Sequence, residues 1–367
     1  MIKKAVVVRQ RLFLSESADS PVFYFLRKPI FLSCKRFRFL NKKIMFMKYC
    51  YILFLLVLIN VKPAIAQKVT VPTYYNVDPT LSDSLLKIVK SVKLDSIYNV
   101  GADGTEQISF AVIDLMGKKP QLGGVHYDNF IYPASVYKMY VGAEVLHQIS
   151  EGKYSLTTSY VVRFPNAVDS VKEIRTDPRP LLQDGDTVTV NYLLDLMLTR
   201  SDNSAANCMI DLAGRPNINK LIHDNGWYGS EVTRKFLSRK YEDPGYKKIR
   251  GTVTCALHAA DFMYKVYENK LVNPWVSMQM KTFLGRQRDT TKLAAGLPKN
   301  VMFYHKTGWW RYWTNDVGIV DNGRIRYVIA CFTPIAEEEA DPRLKILSRK
   351  VYQLMQRRAN RELIKSL

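Results

Sequence analysis

The sequence of 367 residues predicts an α/β (α+β) fold in which an antiparallel sheet, built from both ends of the chain, is flanked by helices. Segments rich in β-branched and aromatic residues lie near both ends, at 108–115, 124–132, 301–305, 316–320 and 324–332. The middle of the chain instead carries apolar residues at helical spacing. Strands from both ends and helices between them imply an inserted all-helical region.

The helices are predicted from apolar periodicity and from residues that cap helix ends. The first covers 81–98, and the next runs over 135–149 and stops before Gly152. In the middle of the chain, Thr189 is placed to cap a helix that continues through Leu198. Further helices are predicted over 204–212, 217–223, 254–267, 274–284 and 341–364.

The N-terminus is typical of a targeting segment. An uncharged apolar run over 49–61 follows three lysines and precedes a small-x-small site at 64–66. We therefore predict a signal peptide over 47–66 and a folded domain over 67–367, exported to the periplasm or cell envelope of a bacterium. The run would span only ~20 Å as a helix, and an uncleaved membrane anchor is the alternative. Residues 1–46 are interpreted as a basic upstream segment added by a mis-assigned start codon, or as a short cytoplasmic tail.

The net charge of +21 is divided almost equally between the targeting segment and the predicted domain. Residues 1–66 carry +11 and residues 67–367 carry +10. Because half of the excess lies outside the domain, the charge does not predict nucleic-acid binding. The five histidines form no HxH or HExxH pair, so we expect neither a metal nor a cofactor.

Ser-x-x-Lys occurs three times, with its serine at Ser84, Ser135 and Ser150, and one copy has a suitable context. Ser135 begins a predicted helix directly after Tyr-Pro-Ala, so its N–H is an unpaired donor of the first turn. Lys138 follows one turn later on the same face. A serine hydroxyl becomes a good nucleophile when a base takes its proton, and a buried lysine with a lowered pKa can be that base.

Two further motifs follow in the chain. Ser201-Asp202-Asn203 lies between two predicted helices, and Lys306-Thr307-Gly308 ends the strand predicted over 301–305. The order SxxK, SDN, KTG, on a helix, a turn and a strand, is more specific than any single motif. On these motifs, residues 126–365 resemble the serine β-lactamase and penicillin-binding protein superfamily, most closely class A β-lactamases.

The resemblance implies the catalytic roles. Ser135 attacks a β-lactam or D-Ala-D-Ala-like carbonyl and forms an acyl-enzyme, and Lys138 accepts its proton. Ser201 relays a proton to the departing nitrogen, while Asn203 helps to hold Lys138. The backbone N–H groups of Ser135 and Trp309 form the oxyanion hole.

The same resemblance implies that the substrate is bound by Asn203, Lys306, Thr307, Gly308 and Trp309. Asn203 hydrogen-bonds the side-chain amide of the substrate, and the lysine and threonine bind its carboxylate. A tryptophan cluster follows in the chain at positions 309, 310 and 313. It is either an aromatic lip over the cleft or a set of packed surface aromatics.

The chain departs from class A β-lactamases in the loop that supplies their deacylation base. The family has a glutamate there, with an asparagine four residues later, but no Glu-x-x-x-Asn occurs between Asn203 and Thr254. The position that matches by counting carries Arg239. Glu242 is the nearest candidate base, although Tyr246 stands where the asparagine is expected. The alternative is that Glu242 is a solvated loop acid.

Three functions follow from these observations. The first is a class A-like β-lactamase, which would confer antibiotic resistance. The second is a D,D-peptidase or penicillin-binding protein that acts on peptidoglycan stem peptides, and the third is a sensing or binding domain without turnover. We expect a monomer that binds a β-lactam or D-Ala-D-Ala-like peptide and, after signal cleavage, has no stable membrane insertion.

Overall fold

A computed structural model describes residues 69–101, 104–242 and 251–366 of the chain. Its strands, in chain order, are β1 (Asn76–Val77), β2 (Ser109–Asp114), β3 (Gln121–Val125), β4 (Ser159–Val161), β5 (Thr187–Thr189), β6 (Met302–Trp310), β7 (Trp313–Asp321) and β8 (Arg326–Thr333). Six of them form one sheet in the order β1-β3-β2-β8-β7-β6, while β4 and β5 pair separately. Only the short β1–β3 pair is parallel within the described sheets. The predicted antiparallel sheet from both chain ends is therefore confirmed.

The helices come before, within and after the sheet strands. They are α1 (Pro79–Ser91), α2 (Lys138–Ser150), α3 (Val190–Thr199), α4 (Asn203–Ala213), α5 (Arg215–Asp224), α6 (Ala256–Tyr267), α7 (Pro274–Leu284) and α8 (Glu337–Ser366). The predicted cap of α3 is confirmed, because the Thr189 side chain accepts a hydrogen bond from Tyr192 N. The helical region between the two groups of strands is likewise as predicted.

The central strands of the sheet are buried on both faces. Along β2, Ala111 and Ile113 belong to the core shared with the inserted helices, whereas Phe110 and Val112 belong to the core under α1 and α8. Side chains alternate between faces along a strand. A strand that is covered on both faces therefore has a continuous apolar sequence, as β2 and β8 do.

Several predicted boundaries are wrong for local backbone reasons. The first helix ends at Ser91, because Lys93 is left-handed (φ 57°) and Leu94 N donates back to Val89 O. The second strand lies at Gln121–Val125 instead of 124–132, and His126, with φ 46°, follows its end.

The last helix begins four residues before its predicted start. It starts at Glu337 and not at residue 341, with three glutamates in its first turn, where negative charge favours a helix. The signal peptide predicted over 47–66 and the segment before it lie outside the described residues. Within the described ranges, no helix combines the length and the hydropathy that crossing a bilayer requires.

Candidate active site

Ser135 lies in a 3-10 turn that leads directly into α2. The turn covers Ala134–Tyr137, and its serine is 7% exposed. Ala134 has a φ of 46°, which an alanine rarely adopts. A non-glycine residue in this region costs free energy, and such strain is commonly found where a functional side chain has to be held in place. The strained turn thus presents Ser135 at the start of a helix, as the sequence predicts.

Lys138 is the first residue of α2 and is fully buried. Its Nζ donates to Asn203 Oδ1 at 2.8 Å and to the carbonyl oxygen of Ser201, and Ser201 Oγ lies at 3.3 Å. Ser201 has a φ of 63°, and Asp202 accepts from Ala205 N to cap α4. The sharp turn between α3 and α4 therefore brings the SDN motif onto the SxxK lysine.

The strand β6 brings the third motif to the same place. Lys306 is fully buried, and its Nζ donates to Ser201 Oγ at 2.9 Å. The Ser201 hydroxyl thus lies between two lysine amines. A Cβ on Gly308 would come within 2.6 Å of Ser135 N, so only glycine allows the strand to approach the serine turn this closely.

Burial lowers the pKa of Lys138 to about 8, and nearby carboxylates, first among them Glu173, oppose the decrease. Burial and the adjacent Lys138 also lower the pKa of Lys306. Two lysines that share one hydroxyl in a buried site cannot both hold a proton without repulsion. The pKa of Lys306 is lowered further than that of Lys138, so the choice of Lys138 as the base depends on its place one helical turn after Ser135, and its pKa of about 8 allows it to take a proton near neutral pH.

The pH dependence of acylation should report the ionisation of Lys138. The base must be neutral, so the acylation rate should rise with pH, by about tenfold per unit below pH 8, and level off above it. Stopped-flow measurement of the reaction with a chromogenic cephalosporin between pH 6 and 9.5 tests this. A rate that falls as pH rises through 8 would exclude a lysine base.

A cavity of about 660 Å³ opens in front of the serine. It is lined by segments 168–173, 200–203 and 234–238, together with Ser135 and Trp309. The predicted nucleophile, the SDN turn and the residue after KTG therefore share one cavity. Its volume is within the range of small-molecule sites.

Glu242, the predicted deacylation base, is not among the described residues that line this cavity. It is buried, with Oε1 accepting from the backbone N of Lys235 at 3.1 Å and Oε2 lying 3.8 Å from Arg215 Nη1. It is therefore not the solvated loop acid of the alternative prediction. Nor does this position favour the role of a base on the acyl-enzyme. Tyr246 lies outside the described residues.

Phe236 is the loop residue that faces Lys138, and it is not among the predicted site residues. The centre of its ring is 4.2 Å from Lys138 Nζ. The ring also stacks on that of Tyr137, with 4.8 Å between the two ring centres. Asn207 holds the loop in place, since its Oδ1 accepts from Phe236 N at 2.7 Å. Arg239, the position that counting matched, lies three residues later, in the 3-10 turn Arg239–Tyr241.

The predicted aromatic lip is formed by two of the three tryptophans. Trp309 and Trp310 line the cavity and are 40% and 52% exposed, whereas Trp313 is half-buried against Tyr132. Trp309 Nε1 donates to Glu173 Oε1 at 3.1 Å, which joins the lip to segment 168–173 of the cavity lining. Glu173 is exposed to the cavity. The surrounding protein nevertheless displaces water from its carboxyl, and this desolvation raises the pKa of Glu173, although the charges of both lysines lower it.

Comparison with known proteins agrees with this geometry. Residues 93–355 match the model of the beta-lactamase enzyme family. The beta-lactamase AST-1 of Nocardia asteroides is 30% identical over 158 residues, which are 42% of this chain and 50% of that protein. The chain therefore spans about half the length of this relative. The beta-lactamase VEB-1 of Pseudomonas aeruginosa is 24% identical over 240 residues, which are 60% of this chain and 76% of that protein.

The fold of a solved structure, PBP-A, is also similar. It has a TM-score of 0.63 at 20% identity and covers 78% of this chain and all of its own. A point mutant of PBP-A, with a TM-score of 0.62 and 20% identity, is an acyl-enzyme complex with penicillin G; the match covers 76% of this chain and 97% of that one. The family match covers well over half of the chain. The chain therefore belongs to the beta-lactamase enzyme family, within the serine β-lactamase and penicillin-binding protein superfamily.

Proposed function

We propose that the protein is an exported serine enzyme in which β-lactams and D-Ala-D-Ala-like peptides acylate Ser135. The observation that carries this proposal is the buried contact of Lys138 with Ser201 and Asn203, beside a serine at a helix start. Lys138 takes the proton of Ser135 as its Oγ attacks the carbonyl carbon. Ser201, between two lysines, passes a proton to the departing nitrogen as the C–N bond breaks.

The same arrangement supplies binding groups for a substrate carboxylate. The Lys306 amine and the Thr307 hydroxyl bind it, and Asn203 binds the side-chain amide of the substrate while it holds Lys138. Backbone N–H groups of Ser135 and Trp309 stabilise the oxyanion. Thr307 Oγ1 is buried and has no hydrogen-bond partner among the described residues, which suits a group that awaits a ligand.

The fate of the acyl-enzyme is set by the loop over Lys138. Hydrolysis needs a base that activates water beside the ester. Within the described residues, the ring of Phe236 lies 4.2 Å from Lys138 Nζ, and Glu242 is not part of the cavity lining. We therefore propose a penicillin-binding protein of the D,D-peptidase type, whose β-lactam acyl-enzyme is long-lived. A hydrolytic β-lactamase is the second candidate, and the two curated relatives, both named beta-lactamases, favour it.

A burst experiment with nitrocefin separates the two candidates. We expect one equivalent of ring opening, followed by turnover slower than about one per minute, because deacylation that proceeds without a positioned base is slower by two to four orders of magnitude. Sustained turnover of many equivalents would indicate the β-lactamase. Ser135→Ala should abolish the burst, and Ser84→Ala, in an exposed Ser-x-x-Lys copy on α1, should not.

A further inference from the structure

A second cavity of about 370 Å³ adjoins the first. The two share Glu173 and Trp309, whose side chains are joined by a hydrogen bond across the boundary. A substrate that extends past this pair would leave the first cavity and enter the second. The bond is between two side chains at the rim, so a ligand can displace it without breaking the fold.

The direction of β6 shows which end of a substrate lies nearest to the second cavity. Alternate side chains of a strand point to opposite faces. Lys306 contacts Ser201, and Gly308 abuts the Ser135 turn, so Thr307 and Trp309 point to the other face. The fully buried hydroxyl of Thr307, which has no hydrogen-bond partner among the described residues, is thus on the same face of the strand as Trp309, which lines the second cavity. The end nearest to this cavity is the one with the carboxylate, on the leaving part of the substrate.

The charge of the second cavity favours a cation. Its described lining contains five acids and no basic side chain: Glu173, Asp289, Glu337, Glu338 and Asp341. Lys292, buried behind it, is bonded to Asp289 at 2.8 Å and to Glu337 at 2.7 Å, which balances part of this charge. Glu173 faces the cavity together with the exposed indole of Trp309. Glu173 meets the N–H edge of this indole, so a cation that displaces this hydrogen bond would gain the charge of the carboxylate and, over the exposed ring, a cation–π contact.

We propose that the second cavity binds a cationic group on the leaving part of the substrate, beyond the carboxylate held by Lys306 and Thr307. Glu173 and Trp309 are the residues that contact it. This inference depends on the proposed acylation of Ser135. The ligand class is zwitterionic: a β-lactam with a cationic nitrogen beyond its ring carboxylate, or a peptide whose C-terminal residue carries an amine.

Two cephalosporins with the same thienylacetamido side chain provide the test. Cephaloridine carries a cationic pyridinium at C3′, and cephalothin carries a neutral acetoxy group there. The second-order acylation rate constant of each is measured at pH 8 by intact mass spectrometry of the purified protein, and their ratio is taken. We define the cephaloridine preference as the rate constant for cephaloridine divided by that for cephalothin, and we compare this preference between the parent and each variant. The comparison cancels the intrinsic reactivity of the two compounds, as well as any effect of the substitution on Lys138.

Glu173→Gln should lower the cephaloridine preference about fivefold, the size of a partly solvated charge interaction. Glutamine retains an acceptor for Trp309, so the loss isolates the charge. The control is Glu151→Gln, an exposed glutamate after α2 that lines neither cavity, and it should leave the ratio unchanged. An unchanged ratio in Glu173→Gln overturns the cation site alone. Failure of both compounds to acylate Ser135 in the parent overturns the proposed function and the cation site with it.

Discussion

Replacing Phe236 with glutamate is expected to accelerate deacylation of the penicillin acyl-enzyme at least ~100-fold, the usual contribution of a positioned base. The ring of Phe236 lies 4.2 Å from Lys138 Nζ, and its backbone is fixed by Asn207. A glutamate carboxyl extends about as far from the backbone as the centre of a phenyl ring. It would therefore reach Lys138 and could orient a water molecule toward the ester.

The rate constant for loss of the acyl group is measured after excess penicillin is removed, by intact mass against time. This isolates deacylation, which matters because a carboxylate beside Lys138 would raise the pKa of the lysine and slow acylation. Phe236→Gln is the matched control, with the same size as glutamate and no basicity. Equal acceleration by both variants would mean that loss of the ring simply admits water, and it would refute the argument from a missing base.

The parts of the site that the sequence predicts are those where local pattern and chemistry coincide. Ser135 and Lys138 are one helical turn apart, and the SDN residues lie together in one turn, so each group is local in the chain. The strand that carries Lys306 is also evident from its composition. The three groups meet at Ser201 Oγ although they are far apart in the chain. Spacing along the sequence does not predict this meeting, and only the resemblance to a family does.

The loop residues show why the rest was not predictable. Counting along the chain assumes a loop of constant length, and it matched the position of the family's glutamate to Arg239. In the structure, the Asn207 side chain fixes the loop at Phe236, three residues earlier. The hydrogen bond between Asn207, on α4, and a loop 29 residues later has no local signature. The contact between Glu173 and Trp309 spans 136 residues and is equally invisible to pattern analysis.

Removing the amine of Lys138 is expected to have the other large effect. In Lys138→Met the side chain keeps its unbranched apolar stem and is one atom shorter, but the proton of Ser135 loses the amine that accepts it, so the acylation rate constant should fall about 1000-fold. Competition of penicillin with a fluorescent penicillin measures this constant. The chain offers a close control in Lys153→Met, since Ser150 and Lys153 repeat the same motif at the exposed end of α2.

Stability distinguishes loss of the base from loss of the fold. The pKa of Lys138, about 8, is below its ordinary value of 10.5. At pH 7 the buried, charged amine of Lys138 lowers the free energy of unfolding. Between pH 8 and 10.5 the amine is neutral in the folded state and still protonated in the unfolded chain, so the free energy of unfolding rises with pH over this range. Methionine removes this penalty but also removes the donors to Ser201 and Asn203. We therefore expect similar unfolding temperatures for the variant and the parent at pH 7. A variant that is fully folded and still acylated at the parental rate would show that another group accepts the proton of Ser135.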